Sequence, residues 1–272
     1  MTVRDALSRA AARLAGGSDT PRLDAELLMA QALGIDRQAV LLGDQTQPAP
    51  PAFDALIARR AAGEPVAYIL GRRAFWTIEL DVGPGVLIPR PDSETLIEAA
   101  VDHFADHPPA TILDLGTGSG ALLLAALDQW PDARGLGIDA SEAALAIAHA
   151  NANRLGLAHR ATFQLGDWAD GLDQRFDLIL CNPPYVEDGA LLPRDVADWE
   201  PHQALFAGPD GLAAYRRIAS ALRSVFAERG IACIEVGAGQ AASAGELFAE
   251  QGLRVSSRRD LGGHIRCLIV KA

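Results

Sequence analysis

Residues able to orient a weakly nucleophilic nitrogen stand together at Asn182-Pro183-Pro184-Tyr185, directly after the apolar run FDLILC. Two successive prolines lack N–H donors and hold the chain extended, and Pro183 pushes Asn182 into the extended region as well. The product is a stiff, acceptor-rich lip. The Asn182 side-chain oxygen and the Pro183 carbonyl can accept both hydrogens of a planar NH2 group, with Tyr185 packed on its plane. The nitrogen of an amide or arylamine has a delocalised lone pair, so orientation must supply most of its reactivity. Two acceptors also favour the positive charge that the nitrogen gains as it attacks. A plain turn explains Pro-Pro alone, but it does not explain the whole tetrad in this place.

A second stretch suits a nucleotide-like cofactor. DLGTGSG, Asp114 to Gly120, follows an apolar strand and leads into ALLLAAL, where the cofactor loop of an open α/β sheet belongs. Gly116, Thr117, Gly118, Ser119 and Gly120 are the candidate loop residues. Because Ala121 follows, the stretch also satisfies the relaxed dinucleotide fingerprint, so the glycines alone do not choose between cofactors. Asp114 favours a cofactor carrying an ammonium group, such as S-adenosylmethionine, over a pyrophosphate. Asp139 ends the next strand, where an acid accepts from ribose hydroxyls in either case. Further along, Asp167 of GDW could accept from an adenine amino group and Trp168 could lie against the ring. An ordinary turn with a core tryptophan would read the same way.

The elements that position these residues alternate. Strand signals at TILDL, GLGID, ATFQL, DLILC, GIACIEV and IRCLIV are separated mostly by helical stretches, which predicts an α/β fold with a parallel sheet covered on both faces. The first 70 or so residues read instead as helices, with apolar positions recurring at three- and four-residue steps. Asp19 or Thr20 caps the second of these, Pro21 sits in its first turn and Gly34 stops it. From Ala74 the periodicity shortens toward two, suggesting a hairpin around Gly83 and Gly85 before Pro91 opens a new helix. The expected organisation is a helical domain over 1–73, a β-hairpin linker over 74–88 and a catalytic domain over 89–272.

Of the 272 residues, 49% are hydrophobic, and the net charge is −11. Residues 1–85 carry only −1 of it and the remainder −10, so the catalytic part is a poor complement to polyphosphate. The three cysteines, Cys181, Cys233 and Cys267, form neither a disulfide framework nor a metal clip, which makes a reduced, cytoplasmic chain the expectation. No apolar run is long enough for a membrane span. His103 and His107 stand at helical i, i+4 spacing, but the glutamate of an HExxH site is missing at 104 and Pro108 follows, so no metal is expected. Glu235 ends the fifth strand of the sheet near the cleft, but strand-end acids are common and it is left out of the catalytic set.

These residues resemble the class I S-adenosylmethionine-dependent methyltransferases, and within them the subset whose NPPY-type motif methylates planar nitrogens. GEPVAYILGRRAFW, LIPRPDSE, DLGTGSG and NPPY together resemble the bacterial release factor glutamine methyltransferase family over nearly the whole chain. The resemblance implies a Rossmann-like domain with a mostly parallel seven-stranded sheet, joined through a hairpin to a small helical domain that recognises the substrate. It implies methylation of the glutamine side-chain amide in the Gly-Gly-Gln motif of class 1 peptide chain release factors. Gly116 to Gly120, Asp139, Trp168 and Asn182 would then hold the cofactor, and Asn182 to Tyr185 the glutamine, with Pro89 and Arg90 lining the same cleft. A monomer with no membrane or direct nucleic-acid partner is expected. Methylation of an exocyclic amino group on a nucleic-acid base is the alternative from the same geometry, and the charge tells against it. A nicotinamide-dependent dehydrogenase would leave the NPPY lip without a task, and a binding module that merely kept the fold would show no turnover.

Overall fold

The central strands of the sheet are almost uninterrupted apolar residues because both of their faces are covered. Ile112, Leu113 and Leu115 on one strand, and Leu178, Ile179 and Leu180 on its neighbour, have no exposed surface. The structure, a computed structural model, describes residues Met1 to Ala272 and divides into two compact units, Met1–Arg72 with Leu192–Glu200, and Arg73–Leu191 with Pro201–Ala272.

The first unit is built of helices Val3–Leu14, Pro21–Leu33, Arg37–Leu42, Ala52–Ala61 and Val66–Leu70, with the short turn of helix Arg194–Ala197. Their starts follow local chemistry: the Thr2 hydroxyl accepts from Asp5 N–H and the Asp36 carboxylate from Ala39 N–H. Thr20 is the N-cap residue of the second helix, yet its hydroxyl donates to Asp24 rather than capping the backbone. Leu7, Leu28, Met29 and Phe53 fill the core. That core also holds charge. Arg60 Nε lies 2.7 Å from Asp24 Oδ2, both side chains being less than a tenth exposed, and Nη2 reaches Asp195 at 3.3 Å. Residues 192–200, expected in the catalytic domain, thus belong to the helical unit. Asp195 gives the Arg60 guanidinium its second carboxylate, and Trp199 lies against Gly63. A buried cation needs such partners.

Strands β1 (Arg72–Phe75) and β2 (Ile78–Asp81) form a two-stranded sheet. Its turn lies at Trp76–Thr77, not around Gly83 and Gly85 as the glycines suggested. Trp76 takes φ 53, and its N–H donates to the Glu94 carboxylate at 2.9 Å, a distant acceptor that stands in for the usual glycine or asparagine chemistry of a tight turn.

The second unit holds a seven-stranded sheet of β3 (Thr111–Leu115), β4 (Arg134–Asp139), β5 (Ala161–Leu165), β6 (Phe176–Cys181), β7 (Phe226–Glu235), β8 (Arg254–Arg259) and β9 (Ile265–Lys271). The order is β5-β4-β3-β6-β7-β9-β8. Strands β3 to β7 pair in parallel, and β9 runs antiparallel to both β7 and β8, so the sheet is mostly parallel as expected. β8 gave no sequence signal because RVSSRR is an edge strand that presents no buried face. Pro91 opens a single 3-10 turn, Pro91–Ser93, and the α-helix proper runs Glu94–His103. That helix stops at His103, so His107 lies beyond it and the two histidines do not share a helical face. The chain leaves β3 toward β4 and β5 on one side, then returns to β6 and β7 on the other. Open α/β sheets bind ligands at that reversal, beyond the carboxyl ends of the strands.

Candidate active site

At that reversal lies a cavity of about 280 Å³, close to the lower end of small-ligand pockets at roughly 300 Å³. Three strand ends supply its floor. After β3, the Gly116 and Thr117 N–H groups both donate to the Ile138 carbonyl, at 2.8 and 2.9 Å, which folds the loop back over the end of β4. Gly116 and Gly118 take φ values of 71 and 54, in the left-handed region that other residues enter at a cost, and a Cβ at 118 would meet nothing within 4 Å. Thr117 and Ser119 also line the cavity. Gly120 does not: its place is structural, since a Cβ there would press on Leu124 at 3.0 Å where the Ala121–Gln129 helix begins.

Asp139 closes the loop electrostatically. Its Oδ2 accepts from Gly118 N–H at 2.8 Å and its Oδ1 from Ser141 N–H at 2.9 Å. A carboxylate has about four lone-pair sites, so capacity remains for hydroxyl donors from the cavity. Asp114 is fully buried at the end of β3. Its Oδ2 accepts from the Thr117 hydroxyl at 2.6 Å and from Leu123 N–H at 3.3 Å, and its Oδ1 is buried without any hydrogen bond. Burial pushes the Asp114 carboxyl up to about 7. The orphaned oxygen belongs to a residue of the cavity lining, where an unpaired acid could hold a cationic group. After β5, Trp168 takes φ 54 and packs against Gly116, while Asp167 is held by Arg217 at 2.6 Å. A bulky residue in the left-handed region is strained, and such strain collects at ligand-clamping sites.

Asn182 and Pro184 after β6 complete the wall, but Pro183 is buried and neither it nor Tyr185 is among the lining residues. The Tyr185 ring packs on the core of the second unit and its hydroxyl donates to Glu235 Oε1 at 3.3 Å. Its backbone carbonyl accepts from Gln240 Nε2 at 2.9 Å. Asn182 Nδ2 donates to Ser93 Oγ at 3.1 Å, and the Ser93 hydroxyl donates in turn to Glu235 Oε2. Glu235, at the end of β7, is fully buried, and that burial pushes its carboxyl up to about 7 against the lowering effect of the Ser93 and Tyr185 hydrogen bonds. Pro89 lines the cavity and Arg90 does not. Sequence reasoning named neither Ser93 nor the cavity residues Phe75 and Gln203. A lone serine, phenylalanine or glutamine carries no spacing signal, and only the fold brings them here.

The sheet order and the glycine-loop cavity define a Rossmann-like domain, and residues 106–250 match the family model of a methyltransferase domain. Residues 5–71 match that of a PrmC N-terminal domain. A release factor glutamine methyltransferase from Rhodospirillum rubrum is 44% identical over 97% of this chain and 83% of its own length. One from Cereibacter sphaeroides is 43% identical over 98% of this chain and 97% of its own. The chain belongs to the release factor glutamine methyltransferase family. Among solved structures, a methyltransferase from Pyrococcus furiosus shares the fold, with a TM-score of 0.53 at 16% identity over 80% of this chain and 96% of its own.

Proposed function

We propose that this enzyme transfers a methyl group from S-adenosylmethionine to the side-chain amide nitrogen of the glutamine in the Gly-Gly-Gln motif of class 1 peptide chain release factors. The observation that carries this reading is the hydrogen bond from Asn182 Nδ2 to Ser93, which commits the amide nitrogen as donor and leaves Oδ1 as an acceptor in the wall of the cavity. S-adenosylmethionine supplies, when bound, an activated methyl group on a sulfonium sulfur.

The residues of the cavity fit that cofactor. The partnerless Asp114 Oδ1 suits the ammonium of its methionine part, Asp139 the ribose hydroxyls, and Trp168 the face of the adenine. Gly118, open toward the cavity, lets the backbone approach closely. Asn182 Oδ1 then accepts a hydrogen of the glutamine NH2, which orients the nitrogen and stabilises the charge it acquires, while Pro183, buried outside the cavity lining, stiffens the lip. Tyr185 serves from behind, anchoring the segment through its hydroxyl and carbonyl. The helical unit, by this reading, recognises the release factor. The enzyme works in the cytoplasm as a monomer; no helix is long and apolar enough to cross a membrane.

Incubating the protein with methyl-labelled S-adenosylmethionine, a release factor and RNA in parallel tests the assignment. The expected result is one methyl group on the glutamine of the Gly-Gly-Gln peptide by mass spectrometry. Label in RNA alone would replace it with base methylation, which the net charge of −11 disfavours.

A further inference from the structure

Glu235 is buried with no exposed surface worth the name, 1% of its maximum, and the ion pairs of nearby Arg266 are made with Asp92 and Asp260 instead. Burying an acid without a salt-bridge partner costs stability, and such a cost points to a task. We infer that Glu235 is a positioning residue for methyl transfer: through Ser93 it fixes which end of the Asn182 amide faces the cavity, and through the Tyr185 hydroxyl it holds the far end of the same segment. The inference rests on the function proposed above.

Donors and acceptors decide which way the Asn182 amide faces. The two ends of an asparagine amide are nearly the same size, so packing does not choose between its two orientations. Only one orientation works here, because a flipped Asn182 would point its own NH2 at the NH2 it has to hold. Ser93 decides between them. A hydroxyl has a single hydrogen, and an ionised carboxylate can only accept. With the Ser93 hydrogen given to Glu235 Oε2, the lone pairs of Oγ are left for a donor, and the Asn182 nitrogen is the donor that arrives, at 3.1 Å. A protonated Glu235 could donate to Ser93 instead, freeing the serine hydrogen for Asn182 Oδ1 and reversing the amide.

The groups facing Glu235 set its charge. Asp92 of the 3-10 turn opposes ionisation and Arg266 of β9 favours it. Cys267 of β9 lies opposite it in the strand pairing, Cys181 ends β6 beside it, and the Tyr185 hydroxyl donates to it. The Tyr215 hydroxyl, from the helix Ala213–Leu222, donates to the Glu235 backbone carbonyl at 3.0 Å and so fixes the strand end. Since burial holds the carboxyl up at about 7, the relay is in its working direction above that pH and reversed below it.

The test uses the full-length enzyme with Glu235→Gln, Ser93→Ala, the double variant and Ser93→Thr. Each of the first two should lower kcat at least tenfold while the Kd for S-adenosylmethionine stays within twofold of wild type. The double variant should be no slower than the worse single one, because both act through one chain of hydrogen bonds. Ser93→Thr keeps the hydroxyl and should recover most of the rate. The wild-type kcat should fall with acid through about pH 7, a limb that Glu235→Gln flattens. Losses that multiply in the double variant, or a Glu235→Gln rate within twofold of wild type, overturn the relay.

A second measurement needs no substrate. In protein labelled with 15N-asparagine, the side-chain NH2 signals of Asn182, identified by their loss in Asn182→Asp, should move in Ser93→Ala and in Glu235→Gln. Unmoved signals overturn the inference whatever the substrate is. If wild type methylates RNA alone, the proposed function fails while these signals still decide the relay.

Discussion

Trp168 lies over Gly116, with its Cζ3 only 3.5 Å from where a Cβ on residue 116 would sit. That distance is ordinary contact, so space alone would admit alanine; the backbone would not. Gly116 has φ 71, and an L-residue pays about 1–2 kcal/mol to adopt it. Gly116→Ala is therefore expected to lower the stability of the second unit by about that amount and to weaken S-adenosylmethionine binding at least tenfold as the loop relaxes. Chemical denaturation and calorimetric titration check the two effects separately.

On the proposed function, Asn182→Ala removes an acceptor for the reacting NH2 without touching the glycine loop. The expected outcome is a fall in kcat of about 100-fold or more, the scale of losing one preorganised partner in a reacting site, with cofactor affinity nearly intact. Single-turnover methyl transfer against cofactor Kd provides the measurement, and unchanged turnover would remove Asn182 from the chemistry.

Asp114 makes the stability of the second unit depend on pH. Its carboxyl stands at about 7 in the fold against an ordinary 3.8, so between those values the folded protein holds more protons than the unfolded one. Stability therefore decreases as pH rises through that window. Ligand binding should run the other way, because the ionised acid is the better partner for an ammonium. Cofactor affinity is expected to rise from pH 6 to pH 8 with net proton release near pH 6.5, and Asp114→Asn should abolish the release. Titration calorimetry in buffers of different ionisation enthalpy reads this directly.

Asp139→Ala should weaken cofactor binding by about 1–3 kcal/mol, since it removes a half-buried acceptor and leaves the Gly118 and Ser141 N–H groups without their carboxylate. An unaltered dissociation constant would take Asp139 out of the cofactor site.

In the helical unit, Asp24→Asn should destabilise by about 3–5 kcal/mol, the usual cost of stranding a buried partner. Arg60→Lys should not be tolerated better. A lysine cannot serve Asp24, the Glu64 carbonyl and Asp195 together from one point charge. Thermal unfolding of each variant, with a lowered Tm, is the check.

The sheet was readable from sequence where burial on both faces writes unbroken apolar runs, as in TILDL and DLILC, and the glycine loop was readable from its spacing. Elements fixed by distant partners were not. The turn at Trp76 depends on Glu94, β8 on its place at the sheet edge, and the allegiance of residues 192–200 on the Arg60 guanidinium. At the site, the NPPY tetrad advertised itself, yet its two ends behave differently. Asn182 meets the cavity, whereas Tyr185 turns its hydroxyl inward to Glu235. Ser93 and Glu235 are 142 positions apart, and no local pattern connects them.

Asp195 and Trp199 reach the helical unit from the middle of the catalytic sequence, 10 and 14 positions beyond the end of the NPPY tetrad. The helical unit is thus not a cassette that one cut could detach or one gene fusion could append. A piece ending at residue 72 would carry Arg60 into its interior with half its counter-charge missing. Inheritance should bind the two parts together, so that exchanging the first 72 residues between relatives succeeds only when residues 192–200 travel with them.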